Sequence, residues 1–171
     1  IPLRVQPSTF PATLDEPQTA QSSIGGYEVR VSPLQMAMIA GAIGNNGVVM
    51  RPYLVQSVMG SDLSVIEEAQ PERLSEAVTP TVAAQLTAMM RAVVEGGTGH
   101  NAQIPGVAVA GKTGTARHAD GKAPHAWFIS FAPADNPTIA VAVVVEEGGS
   151  AGQEAAGGTV SAPIARAMME A

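Results

Sequence analysis

The chain has 171 residues, enough for one domain with a real core or for part of one. Hydrophobic residues make up 46% and charged ones 14%, which excludes a disordered chain and one built on a large solvated charge pattern. A net charge of -6 argues against a nucleic-acid partner, and the absence of cysteine excludes disulfide frameworks, thiolate zinc sites and cysteine nucleophiles.

The lead Ile1-Pro2-Leu3-Arg4 has neither an initiator Met nor the shape of a signal peptide, so the chain is expected to start within a longer protein. Residues 1–31 carry Pro2, Pro7, Pro11, Pro17 and Gly25-Gly26 with no sustained period, and read as extended surface segments. At Ser32 the pattern changes. Ser32 suits an N-cap and Pro33 a first helical position, and Leu34, Met36, Ala37, Met38, Ile39, Ala40 and Ile43 are apolar almost all round. This predicts a buried helix, stopped by Gly44-Asn45-Asn46-Gly47. Residues 48–59 read as short extended pieces around Pro52, and the polar stretch 60–75 as a surface loop.

Thr79 and Pro80 open a second helix, in which Val82, Leu86, Met89, Met90, Val93 and Val94 recur at three- and four-residue spacing until Gly96-Gly97. Three extended runs follow at 107–117, 125–132 and 138–146, separated by turn signals at Asp120-Gly121 and at Pro133 to Pro137. Connections this short predict an antiparallel meander. After the Gly-rich stretch 148–158, residues 161–171 read as a last helix with Pro163 in its first turn. The third run, 139–145, is apolar on both sides, so helices must cover both faces of the sheet. Three strands make an awkward free-standing sheet, and partner strands are expected upstream.

Gly106-Val107-Ala108-Val109-Ala110-Gly111-Lys112-Thr113 satisfies the phosphate-loop pattern G-x-x-x-x-G-K-[ST]. That chemistry needs a flexible cradle and a helix opening at the lysine. Here the intervening residues are strand-like, and Gly114-Thr115-Ala116-Arg117 is a poor helix start, so the pattern is rejected. Read as chemistry, Lys112 lies between Gly111 and Gly114 with the hydroxyls of Thr113 and Thr115 beside it. Glycines admit a ligand backbone, the ammonium supplies charge, and hydroxyls donate directional hydrogen bonds to a carboxylate. For an arbitrary lysine, a solvated strand end is the commoner case.

The wider pattern decides between these readings. Lys112-Thr113-Gly114-Thr115, then His125-Ala126-Trp127-Phe128-Ile129-Ser130-Phe131-Ala132-Pro133 and Asn136-Pro137, resembles the class B penicillin-binding proteins. Ser32-Pro33-Leu34-Gln35-Met36-Ala37, Asn46-Gly47, Arg51-Pro52 and Glu95-Gly96-Gly97-Thr98-Gly99 match the same family in the same order. The resemblance covers nearly the whole chain and is closest to the actinobacterial penicillin-binding protein A group.

The resemblance implies an α+β fold, an antiparallel sheet flanked by helices on both faces, of which residues 1–171 form the C-terminal part of the transpeptidase domain. It implies a serine enzyme that attacks D-Ala-D-Ala stem peptides, passes the acyl group to an amine of a second stem and is trapped by β-lactams, with no cofactor. It also implies an extracytoplasmic location at the bacterial cell membrane with an N-terminal anchor outside this chain, and partners from cell division or elongation. By the same resemblance, Lys112 orients the serine cluster and attracts the substrate carboxylate, Thr113 hydrogen-bonds that carboxylate, Gly114 allows close approach, and Thr115 lends its backbone amide to the oxyanion hole. Strand alternation puts Lys112 and Thr113 on opposite faces, so one of them must reach a ligand along the strand edge.

Two family motifs are missing. S-x-x-K would need Ser at Val109 or Ala119, and no serine stands two residues before Asn45, Asn46, Asn101 or Asn136, so S-x-N is absent as well. A chain with KTG alone has no nucleophile. It is then the later part of a larger enzyme, with the upstream part of the same protein as partner, or a non-catalytic sensor or scaffold that binds β-lactam or cell-wall peptide. The first reading is favoured, because the chain begins in a segment that the family places after S-x-N. A metal site at His118-x-Asp120 and a Ser/His/Asp hydrolase lack their spacing signals. His118 and His125 bracket the turn leaving the KTG strand, Trp127 reads as core, and Arg117 as a surface strand end.

Overall fold

Ser32 and Thr79 start the two helices that the sequence marks most clearly. The structure, a computed structural model, describes residues 4–171, and the reading of Ile1, Pro2 and Leu3 lies outside the described residues. Ser32 Oγ accepts from the Gln35 amide at 3.2 Å to cap α2 (Pro33–Gly44), and Thr79 Oγ1 accepts from the Val82 amide at 3.4 Å to cap α3 (Pro80–Glu95). Each cap satisfies an amide that the first turn leaves without an intrahelical partner, and each helix has proline where no such amide is needed.

The predicted meander is present as β5 (Ala110–Ala116), β6 (His125–Ala132) and β7 (Ile139–Val145), antiparallel throughout in the order β5-β6-β7. Its register sets Lys112 opposite Ile129, Thr113 opposite Phe128 and Gly114 opposite Trp127. Helices cover both faces, as the two-sided apolar β7 requires. On one face Phe128, Val141 and Val143 pack with Val94 of α3 and with Ala162 and Ala165 of α4 (Ala162–Glu170). On the other, Phe131, Ala110 and Ala140 pack with Met90 of α3 and Ile43 of α2. The fully buried Ser161 hydroxyl donates to the Ala126 carbonyl at 2.8 Å and ties the start of α4 to β6. Among the described residues no helix is long and apolar enough to cross a membrane.

Three readings need correction. The lead segment is not extended throughout, because α1 (Glu16–Ser23) lies within it. Asp15 accepts from the Gln18 amide at 2.8 Å while its own amide donates to the Gln18 side chain at 3.1 Å, a reciprocal cap that needs no apolar stripe. The stretch 60–75 is not a plain loop. It contains β3 (Val65–Glu68) and most of β4 (Arg73–Glu76), which pair antiparallel with β2 (Ser57–Met59) and β1 (Val48–Met50), respectively. All residues of β3 and β4 are exposed, so they carry none of the apolar alternation by which a strand is read. Finally, α2 is half-buried: only Ala40 and Ala42 are closed off, and its far flank faces an apolar groove bounded by Ile39, Ile43, Leu74, Val78 and Leu86.

Phe128 has no exposed surface and belongs to the first core cluster. Phe128→Ala is expected to cost about 3–5 kcal/mol, read as a lower urea midpoint at unchanged slope.

Candidate active site

Strand β5 has a strand partner on one side only among the described residues, so one edge of the Lys112-Thr113-Gly114-Thr115 segment is open. Lys112 is exposed and its Nζ donates to the Thr113 carbonyl at 2.8 Å. A carbonyl reached in this way lies on the outer edge, and the two-residue repeat of a strand turns the Thr115 amide to that same edge. Thr113 and Thr115 also share a face, opposite to that of Lys112. The segment therefore offers an ammonium on one face, two hydroxyls on the other and an outward amide at the edge between them, within four consecutive residues. The strand as a whole is less buried than its apolar neighbours suggest: Ala110 and Gly111 are closed off, and exposure begins at Lys112.

The two glycines beside Lys112 are not equivalent. A Cβ on Gly111 would come within 2.4 Å of the Phe128 ring, so this glycine is required by packing and not by ligand approach. Gly114 is half-buried, and a Cβ there would stand 3.1 Å from Trp127 Cβ. Trp127 is itself half-buried, on the same face as Lys112 and Gly114, which corrects its reading as core.

Behind β5 lies a support that the sequence reading did not identify. Thr98, in the turn that ends α3, has its Oγ1 2.8 Å from Thr113 Oγ1. The turn lies against Gly158, and the adjacent Gly157 lies against the sheet. A Cβ on Gly158 would fall 1.9 Å from the Thr98 carbonyl oxygen, and one on Gly157 would fall 2.0 Å from the Trp127 oxygen and 2.9 Å from the Gly114 nitrogen. Asn101 Nδ2 donates to the Gly158 carbonyl at 2.8 Å. Two glycines in a row thus let one backbone lie directly on another. The signal available in the sequence was the pair Gly157-Gly158 at the end of the Gly-rich stretch, but its targets, Trp127, Gly114 and Thr98, lie thirty to sixty residues away.

At the far end of β5, His118 and His125 stack with ring centroids 4.0 Å apart and planes within 6°. The Glu147 amide donates to His125 Nδ1 at 3.0 Å, and the Glu147 carboxylate lies 3.6 Å from Lys122 Nζ. Arg117, just beyond the strand, is exposed. Among the described residues no three His, Asp or Glu side chains gather closely enough to hold a metal ion. The phosphate-loop pattern is also disposed of by geometry, since β5 continues through Lys112 to Ala116 and no helix opens there.

The description "Penicillin binding protein transpeptidase domain" matches residues 9–170. The chain belongs to this family. It is 47% identical over its full length to the peptidoglycan D,D-transpeptidase PbpA of Mycolicibacterium smegmatis, of which it covers 35%. It is 44% identical over 99% of its length to the protein of the same name from Mycobacterium tuberculosis, again covering 35%. The structure of penicillin-binding protein A from M. tuberculosis as a ceftriaxone acyl-enzyme complex matches with a TM-score of 0.92 at 44% identity, over 99% of this chain and 38% of that one. The mixed helix and antiparallel-sheet architecture is that of the penicillin-binding protein A structures. The chain thus spans about a third of the length of the curated relatives it matches.

The Gly158 contact carries a direct test. Gly158→Ala forces a methyl against the Thr98 carbonyl and is expected to destabilise by about 2–3 kcal/mol, as overpacking does. Gly96→Ala, whose Cβ would meet nothing within 4 Å, should lower the denaturation midpoint less.

Proposed function

We propose that this chain is the C-terminal part of a peptidoglycan D,D-transpeptidase domain and that its β5 edge forms one wall of the active site. The observation that carries the reading is the conjunction, around that open edge, of Lys112 Nζ on one face, the Thr113 and Thr115 hydroxyls on the other and the outward Thr115 amide between them. Support comes from relatives at 44–47% identity that are named D,D-transpeptidases, and from penicillin-binding protein A structures described as acyl-enzymes of ceftriaxone, imipenem and penicillin G. The same names favour an enzyme over a sensor or scaffold.

In this reading the nucleophilic serine comes from the part of the protein that these 171 residues do not include. Its oxygen adds to the penultimate D-Ala carbonyl of a stem peptide. The negative charge then builds on the carbonyl oxygen, where the Thr115 amide donates a hydrogen bond; loss of such a donor costs about 3–4 kcal/mol of barrier. The carbon–nitrogen bond breaks, the terminal D-Ala leaves as an amine after taking a proton, and an amine of a second stem displaces the serine oxygen. Lys112 acts on this sequence in two ways. Its positive charge attracts the substrate's terminal carboxylate, and its proximity to the serine cluster favours proton removal. Thr113 donates to the carboxylate, and Gly114 keeps the strand edge clear for the peptide backbone. A β-lactam follows the first half of the path, with its ring amide as the scissile bond and the leaving nitrogen retained on the acyl group.

The relatives named peptidoglycan transpeptidases support a place for the whole protein at the outer side of the bacterial membrane, anchored outside this chain. Cell-division or elongation proteins are its expected partners.

Two measurements test the proposal. Full-length protein should be covalently labelled by a fluorescent penicillin while the isolated chain is not; labelling of the isolated chain would overturn the assignment of the serine to the rest of the protein. Lys112→Ala in the full-length protein should slow acylation by about 100-fold or more, the scale of a lost acid–base group, and an unaltered rate would remove Lys112 from the site.

A further inference from the structure

We propose that Thr98 is a positioning residue for ligand-carboxylate recognition, acting through the Thr113 hydroxyl. The inference rests on the reading above, in which Thr113 binds the carboxylate, and adds the group that orients it.

The two hydroxyls are 2.8 Å apart, a hydrogen-bond distance for which either could be the donor. A hydroxyl has one proton to donate, and a carboxylate can only accept. If Thr113 donated to Thr98, it would have no proton for the ligand. A carboxylate at Thr113 therefore selects the opposite direction: Thr98 donates to Thr113, and Thr113 donates to the carboxylate. Each bond in such a chain polarises the next. With the ligand bound, the Thr113 proton is held on the carboxylate, where a lone threonine hydroxyl would rotate among several partners.

A positioning group is useful only if it is itself fixed, and Thr98 is fixed from three sides. Its carbonyl lies against the bare Cα of Gly158, where a methyl would come within 1.9 Å. The next residue, Gly99, fits against the Phe128 ring, which a Cβ would meet at 3.1 Å, and the Gly99 amide donates to the Val93 carbonyl at 2.9 Å. Asn101 ties the same turn to the Gly158 carbonyl. Thr113 in turn lies opposite Phe128 in the sheet, and its methyl would stand 3.5 Å from a Gly158 Cβ. Both residues are thus mounted through their backbones on the same packed unit, and the exposed Thr98 side chain needs only its own rotamer to meet Thr113. Neither Lys112 nor the Thr115 amide belongs to this pair, and the effect of Thr98 should be confined to ligands that present a carboxylate.

The test uses full-length protein and two probes, penicillin G as the free acid and its methyl ester. Thr98→Val keeps the side-chain shape and removes the hydroxyl. It should slow acylation by the free acid about tenfold, the upper scale of one hydrogen bond between uncharged groups, and change the ester rate by less than about twofold on that scale. Thr98→Ser should restore most of the free-acid rate. In a Thr113→Val background, Thr98→Val should have no further effect, because the two residues act as one unit. Equal slowing of acid and ester would make Thr98 a purely structural residue and overturn the proposal, as would a free-acid rate unchanged in Thr98→Val. Should Thr98→Val fold poorly, the acid-to-ester ratio in Thr98→Ala gives the same decision. Failure of the underlying reading looks different: wild-type protein would not be acylated by either probe, or Thr113→Val would leave the free-acid rate intact.

Discussion

The ring of Phe128 occupies the space left by two glycines twelve residues apart, Gly111 on β5 and Gly99 in the turn after α3, where added methyls would stand 2.4 and 3.1 Å from it. That contact sets how closely the helix-ending turn approaches the strand. Everything proposed for the site depends on the approach. If β5 moved away from Phe128, Thr113 would leave Thr98, Gly158 would lose its seat on the Thr98 carbonyl, and the outward row of polar groups would lose its backing. The position is costly to disturb for the usual reason in a close-packed interior, where a large ring has no neighbouring void into which it can move.

The fold uses this rigidity asymmetrically. The N-terminal half of β5 is buried under helices on both faces, whereas its C-terminal half presents Lys112 to solvent at an open edge. Unpaired strand edges are usually protected, because their free amides and carbonyls attract other chains. Here the open edge carries a lysine and ends in the turn between β5 and β6, and in the proposed function its free amides and carbonyls serve as donors and acceptors for a bound peptide. The stacked His118 and His125 pair, with Glu147 and Lys122 beside it, closes the sheet at that end.

Much of the architecture was legible in the sequence. The α2 and α3 starts, the three-strand meander, the last helix and the family resemblance all follow from adjacent residues. Elements without an apolar pattern were less visible. The strands β3 and β4 are exposed throughout and exist because β2 and β1 offer them partners, while α1 is held by the Asp15 and Gln18 cap and not by a buried face. Gly111 was assigned to ligand approach when its glycine is needed by an aromatic ring, a distinction that no local pattern carries.

What the sequence determined alone is therefore what short-range chemistry can encode: caps, turns, strand runs and the order of Lys112, Thr113, Gly114 and Thr115 along a strand. Tertiary structure alone decided which of those groups meet others. Thr98 and Thr113 are separated by fifteen residues, and Gly158 is sixty from Thr98, so their contacts form only once the sheet and the last helix have closed around Phe128. Local hydrogen bonds depend on neighbours a few residues away, whereas these contacts depend on the closure of long loops, whose ends are brought together by the core as a whole.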